Sequence, residues 1–188
     1  MKQKGLQNRQ RIIESANQLF YQRGYNQTSF SEIAEAAEIP KGNFYYYFKS
    51  KDDLLAAVID FRVEVIQVML DDWVREIEDP RARLKRAVKI LIHSEEEILR
   101  YGCPMGSLNV ELSKTQLSLQ SRAVAMFDLL VNWITQQMRA LGHEEDARTL
   151  ALHMLACMQG ISMLTNVYSD SAFMRHEVTM LEQWLDQL

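Results

Sequence analysis

Apolar residues recur at spacings of three and four along almost the whole chain. No stretch shows the strict alternation of a half-buried strand, so the pattern predicts an all-α protein. The first helix is expected from about Leu6 to Arg23, with Ile12, Ile13, Ala16, Leu19 and Phe20 on one face and Gly24 as its stop. A second opens at Ser29, where Glu32 three residues on completes a capping box, and buries Phe30, Ile33, Ala34 and Ala37. A short third covers about Lys41 to Tyr47. The fourth begins at Ser50, where Asp52 and Asp53 suit a helix start, and runs long through Leu54, Val58, Phe61, Val65 and Leu70.

Asp79-Pro80 reads as a cap followed by a first-turn proline, opening a fifth helix that should continue to about Arg100. Gly102, Cys103 and Pro104 end it and start another. Leu117 to Leu141 is one long helix carrying Phe127, Leu130, Trp133 and Ile134, closed by Gly142. Two more follow, about Glu144 to Tyr168 and Ser171 to Gln187, which brings the expectation to about nine helices. With no internal repeat and no low-complexity linker, the change from head to body falls at the fourth helix, residues 1–51 against 52–188.

Charge sharpens that division. Residues 1–51 hold eight Lys/Arg against four Glu, a net +4, whereas the rest holds 13 basic and 21 acidic side chains, a net −8. A basic head on an acidic body points to a polyanionic partner, against the plainer reading of a solvated basic face. Composition is that of an ordinary globular protein, 47% hydrophobic and 24% charged. The polar, basic opening MKQKGLQNRQR has no apolar core of a signal peptide, and no run approaches about 18 uncharged apolar residues. The expectation is therefore a soluble, cytoplasmic protein with no membrane partner. Cys103 and Cys157, the only cysteines, form neither a disulfide framework nor a CxxC pair.

Two short helices joined by the tight "EIP" and packed by Ile33, Ala37, Ile39 and Phe44 describe a helix-turn-helix. Such a unit leads with the start of its second helix, so Lys41, Gly42 and Asn43 come nearest to base edges, and Gly42 lets the backbone approach closely. Tyr45, Tyr46 and Tyr47 lie about 100° apart on the helix and splay toward different phosphates, unless they form a buried aromatic cluster. Of the three, Tyr45 is expected to be partly core. Lys51 sits at the start of the fourth helix, a favourable place for a phosphate.

From its first helix through "TSFSEIAEAAEIPKGNFYYYFKSKDDLL", the head resembles the TetR (tetracycline repressor) family of bacterial transcription regulators. The resemblance implies that Thr28, Ser31, Lys41, Gly42, Asn43, Tyr45, Tyr46, Tyr47 and Lys51 touch DNA, and that Phe44 and Phe48 are core. Glu38 departs from the pattern, standing where the family usually has glycine. If that residue is left-handed, Glu costs roughly 1 kcal/mol relative to Gly.

For the body, the resemblance implies a helical domain that binds a small ligand and dimerises through its last two helices. The residues agree in kind. Leu150, Met154, Cys157, Ile161, Leu164 and Tyr168, with Val178, Leu181, Trp184, Leu185 and Leu188, make broad apolar faces for a partner copy or for the monomer core. Ten methionines suit an adaptable cavity as well as plain core. The expected ligand set is Phe61, Val65, Trp73, Cys103, Met105, Phe127, Met154 and Met158, with Met126 nearby.

In "RYGCPMGSLNVEL", Cys103 would cap a helix with Arg100 one turn back, an environment that lowers a thiol pKa. The stretch also looks like a motif of TetR-family branches that include electrophile-responsive repressors; the alternative is a small packed spacer between Gly102 and Gly106. His153 and Cys157, four apart, are two ligands without a third, so neither metal nor cofactor is expected. No nucleophile elbow, phosphate loop or acid pair suggests an enzyme. The sequence thus reads as a homodimeric, ligand-responsive DNA-binding repressor, with electrophile sensing through Cys103 as the alternative.

Overall fold

The computed structural model describes residues 2–188. Among them are ten helices: α1 (Lys2–Arg23), α2 (Phe30–Ala36), α3 (Lys41–Tyr47), α4 (Lys51–Glu76), α5 (Pro80–His93), α6 (Glu95–Tyr101), α7 (Pro104–Thr115), α8 (Leu117–Ala140), α9 (Ala147–Tyr168) and α10 (Ser171–Gln187). The all-α architecture and most boundaries follow the periodicity. The count differs because the helix expected to reach Arg100 is two, broken at Ser94. Ser94 leaves helical geometry at φ −106° and ψ 21°, and Glu95, Glu96 and Glu97 then occupy the first turn of α6. Three carboxylates there meet the positive end of a helix dipole. Glu95 is also held by Arg175 of α10 at 3.1 Å.

Contacts divide the chain into two compact units. The first joins the residues up to Val65 with Ser107–Met126, and the second joins Ile66–Gly106 with Phe127–Leu188. The change of role expected at 51/52 is the start of α4, whereas the compact units divide further along that helix.

In the first unit, Ile12, Ile13, Ala16, Phe20, Ile33, Phe44, Phe48, Leu54 and Leu55 are buried. Ser29 closes the expected capping box: its hydroxyl accepts from Glu32 N–H, and the Glu32 carboxylate accepts from Ser29 N–H at 2.8 Å. Ser50 caps α4 by accepting from Asp53 N–H at 3.0 Å. The α2–α3 turn places Glu38 at φ 53°, so the glycine position of the motif is left-handed here with a glutamate in it. Arg11 spans that turn, donating to the Ala37 carbonyl with Glu38 3.5 Å away.

The second unit is built on a core that includes Leu70, Trp73, Leu84, Val88, Trp133, Ile134, Met154, Met158, Val178 and Leu185. Trp73 and Trp133 meet edge to face, 5.9 Å between centroids. Asp79 caps α5 by accepting from Arg81 and Ala82 N–H. α10 packs on α5 and α9, tied by Lys85–Asp186 and Lys89–Glu182 ion pairs. α9 carries an 18-residue window of mean hydropathy 1.3, apolar enough by length and composition to cross a membrane. The run-based reading missed this because interspersed Thr, His, Gln and Ser break the run without lowering the average enough. Ala151, Met154, Leu155, Met158 and Ile161 on this helix lie in the core.

Candidate nucleic-acid interface

α3 presents Lys41, Gly42 and Asn43 to solvent, with Tyr45 57% and Tyr46 79% exposed. Its inward side is fixed by Phe44, whose ring lies 4.8 Å from Phe30 and 6.4 Å from Phe48. The three tyrosines splay as the helical spacing requires. Tyr47, rather than Tyr45, is the least exposed of them, because its hydroxyl accepts from Asn8 Nδ2 at 3.1 Å. Tyr45 rests edge-on against Phe30 yet remains open to solvent.

Gly42 stands in α3 without a left-handed backbone, and a Cβ added there would meet nothing within 4 Å. Neither the local conformation nor the packing asks for glycine, which costs up to about 1 kcal/mol relative to alanine inside a helix.

Ser31 is exposed on α2. Thr28 is not available in the same way: it is 2% exposed, and its hydroxyl donates to the Gly24 carbonyl at 2.8 Å. The side chain ties the α1–α2 loop together and has little surface to offer a partner.

Lys51 is half-buried, its Nζ 4.3 Å from the centre of the Tyr25 ring and 3.4 Å from the Asn26 carbonyl oxygen. Burial holds its pKa below the ordinary lysine value, an effect opposed by the nearby Glu111, Asp52 and Glu32. The Tyr25 hydroxyl donates to Asp52, and its pKa is raised, first by burial and then by that carboxylate. Glu111 on α7 accepts from the backbone N–H groups of Tyr25 at 2.9 Å and Asn26 at 2.7 Å. Sequence reasoning missed Glu111: a residue some eighty-five positions away leaves no local spacing to read.

The expected ligand residues are divided between the two compact units. Phe61 is half-buried and Val65 exposed on α4 in the first unit. In the second unit Trp73, Met154 and Met158 are buried core, and Cys103, Met105 and Phe127 are half-buried. A cleft of about 430 Å³ opens in that unit, lined among others by Gln67, Asp71, Arg75, Asn132 and Gln136 over Trp133, and none of the expected ligand residues lines it. Cys103 accepts from Gly106 N–H at 3.4 Å, the capping position foreseen for it. Arg100 is engaged instead by Glu96 at 2.7 Å. A Cβ at Gly106 would lie 2.6 Å from Gln159 Oε1, the far end of a flexible side chain that can move aside, and otherwise at ordinary contact distance from Cys103. The Cys157 thiol sits 3.7 Å from His153 Nε2, with its pKa raised by burial, and no group of three or more His, Cys, Asp or Glu among the described residues is placed to hold a metal.

Comparison with known proteins agrees with this geometry. Residues 12–58 match the model of bacterial regulatory proteins of the tetR family, and residues 63–178 match the C-terminal domain of LmrA/YxaF-like transcriptional regulators. The chain is 33% identical over 167 residues to an HTH-type transcriptional regulator from the lacX 3' region of Lactococcus lactis, covering 86% of this chain and 85% of the relative. It is 32% identical over 128 residues to the HTH-type transcriptional repressor DhaR of a Mycobacterium species, covering 64% and 60% of the two chains. Among solved structures, a TetR transcriptional regulator from Chloroflexus aurantiacus superimposes with a TM-score of 0.85 at 27% identity, over 98% of this chain and 97% of that one.

Proposed function

Because the chain belongs to the TetR family of bacterial transcriptional regulators and carries its DNA-binding helix-turn-helix, we propose that it is a homodimeric repressor released from its operator by a small molecule. In this reading residues 1–51 engage DNA and residues 52–188 bind the effector and pair the subunits. The observation that carries it is the open face of α3, where Gly42 is required by nothing within the chain. Asn43 and the backbone at Gly42 read base edges; Lys41, Tyr45, Tyr46, Tyr47, Ser31 and Lys51 anchor phosphates.

Pairing is supported by α9 and α10. Leu152, Met163, Val167, Tyr168 and Met180 stand exposed on these helices, an apolar surface that a second copy would cover. Release is supported by the continuity of α4, which carries Lys51 at its start and Phe61, Val65 and Trp73 further along. An effector that favours a DNA-incompetent placement of this helix weakens operator binding by the same factor with which the operator weakens its own binding. Met105, Phe127, Met154 and Met158 supply adaptable apolar surface for such a molecule. Cys103 enters as part of that wall, and electrophile sensing through it is the alternative.

The test is selection of duplexes from a random pool by the full-length protein, followed by light scattering of the complex. Enrichment of a palindrome bound by two chains, with half-sites roughly 34–36 Å apart or a multiple of it, is the expected outcome. No enriched sequence, or one chain per site, rejects the reading.

A further inference from the structure

We propose that the DNA interface extends beyond α3 onto the first turns of α1, where Lys4 and Arg9 bind backbone phosphates flanking the groove that α3 enters. This rests on the DNA-binding reading above and adds to it a surface outside the helix-turn-helix.

Two contacts set the place. Asn8 donates to the Tyr47 hydroxyl at 3.1 Å, and the Arg9 guanidinium lies 5.0 Å from the centre of the Phe48 ring. This part of α1 is thereby fixed alongside the later half of α3 and is continuous with its exposed tyrosines. Lys4 lies one turn before Asn8 on the same side of the helix, about 6 Å further along its axis.

The chemistry of the surface suits a polyanion. Lys4, Gln7, Asn8, Gln10 and Arg11 line a shallow concavity of about 580 Å³, and the first acidic residue of the chain is Glu14. Carboxamides and cations together are phosphate-binding groups. The cations of α1 fall into two kinds. Arg11 is used internally on the Ala37 carbonyl and Glu38, and Arg23 on Glu32. Among the described residues no carboxylate pairs with Lys4 or Arg9, both of which are exposed. They are the charges left over for an external anion. Contacts of this kind supply affinity without sequence preference.

Fluorescence anisotropy of the full-length protein on a labelled mixed-sequence duplex, titrated over a range of salt, tests this. Lys4→Gln and Arg9→Gln should each make the plot of log K against log salt shallower by about 0.9 per bound chain, roughly 1.8 for the proposed dimer, and the double variant by about twice that. Arg139→Gln, which removes an exposed cation at the end of α8, should leave the slope unchanged. Slopes in the α1 variants that match wild type, or that fall no further than in Arg139→Gln, overturn the proposal. Should Arg9→Gln unfold through loss of its stack on Phe48, Lys4→Gln alone decides. A wild-type protein with no salt-dependent binding overturns the DNA-binding reading itself, an outcome distinguished by its appearance before any substitution.

Discussion

Replacing Gly42 by alanine separates the demands of the chain from those of its partner. The residue is exposed near the start of α3, its backbone is not left-handed, and a methyl group there would meet no atom within 4 Å. In the free protein the change should therefore help: alanine is the better helix former, and it reduces the freedom of the unfolded chain, a gain of about 0.5–1 kcal/mol. For a chain of this size that raises Tm by roughly 1–4 °C. On DNA the same methyl occupies the space into which a groove wall or base edge must come. Overfilling a packed surface costs about 1–3 kcal/mol, so operator affinity should fall roughly 5- to 150-fold. Thermal melts followed by circular dichroism and anisotropy on a selected operator measure the two effects in one pair of proteins. A raised Tm with unchanged DNA affinity would refute the idea that a partner approaches this backbone. A lowered Tm would refute the premise that the chain itself has no use for the glycine.

The neighbouring turn offers a change in the opposite direction: Glu38→Gly relieves a left-handed glutamate at φ 53° and should stabilise the protein by about 0.5–1 kcal/mol, the exposed contact with Arg11 contributing little against it. Chemical denaturation checks this, and a loss of stability would show that Arg11–Glu38 matters more than the backbone. Lys51→Ala should weaken all duplexes alike and flatten the salt dependence, whereas Asn43→Ala should change which sequences are preferred; equal loss of preference in both would end that division of labour. In pulse alkylation read by mass spectrometry, Cys157, whose pKa is raised by burial, should label slowly. Cys103 labelling no faster, or electrophile-induced release persisting in Cys103→Ser, would remove the sensor alternative and leave the repressor reading in place.

What the sequence made legible was local. Ser29 with Glu32, Asp79 with Pro80 and Gly142 mark helix ends through bonds that span a few residues, and the structure forms them as read. Its position in the motif raised a left-handed Glu38 only as a condition, and the structure meets that condition at φ 53°. Ser94 was less legible, because no glycine or proline marks the break between α5 and α6 there. The burial of Thr28 was not legible either: a polar residue in a loop looks exposed until the carbonyls at Gly24 and Leu19 claim its hydroxyl. The effector residues were the least legible, since apolar side chains at helical spacing fill a core and line a cavity with the same periodicity, and Met154 and Met158 lie buried among the core residues of the second unit.

Glu111 also bears on how the molecule is made. The loop that introduces the helix-turn-helix owes two of its backbone hydrogen bonds to this carboxylate, and the compact unit around the loop needs Ser107–Met126 as well as the first 65 residues. On a ribosome those later residues do not exist when the DNA-binding motif emerges. At synthesis rates of about 5–20 residues per second, the interval between Val65 and Met126 is roughly 3 to 12 s. For that time a nascent head has its sequence motif complete while two backbone N–H groups of its loop, at Tyr25 and Asn26, still lack the carboxylate that receives them in the finished chain.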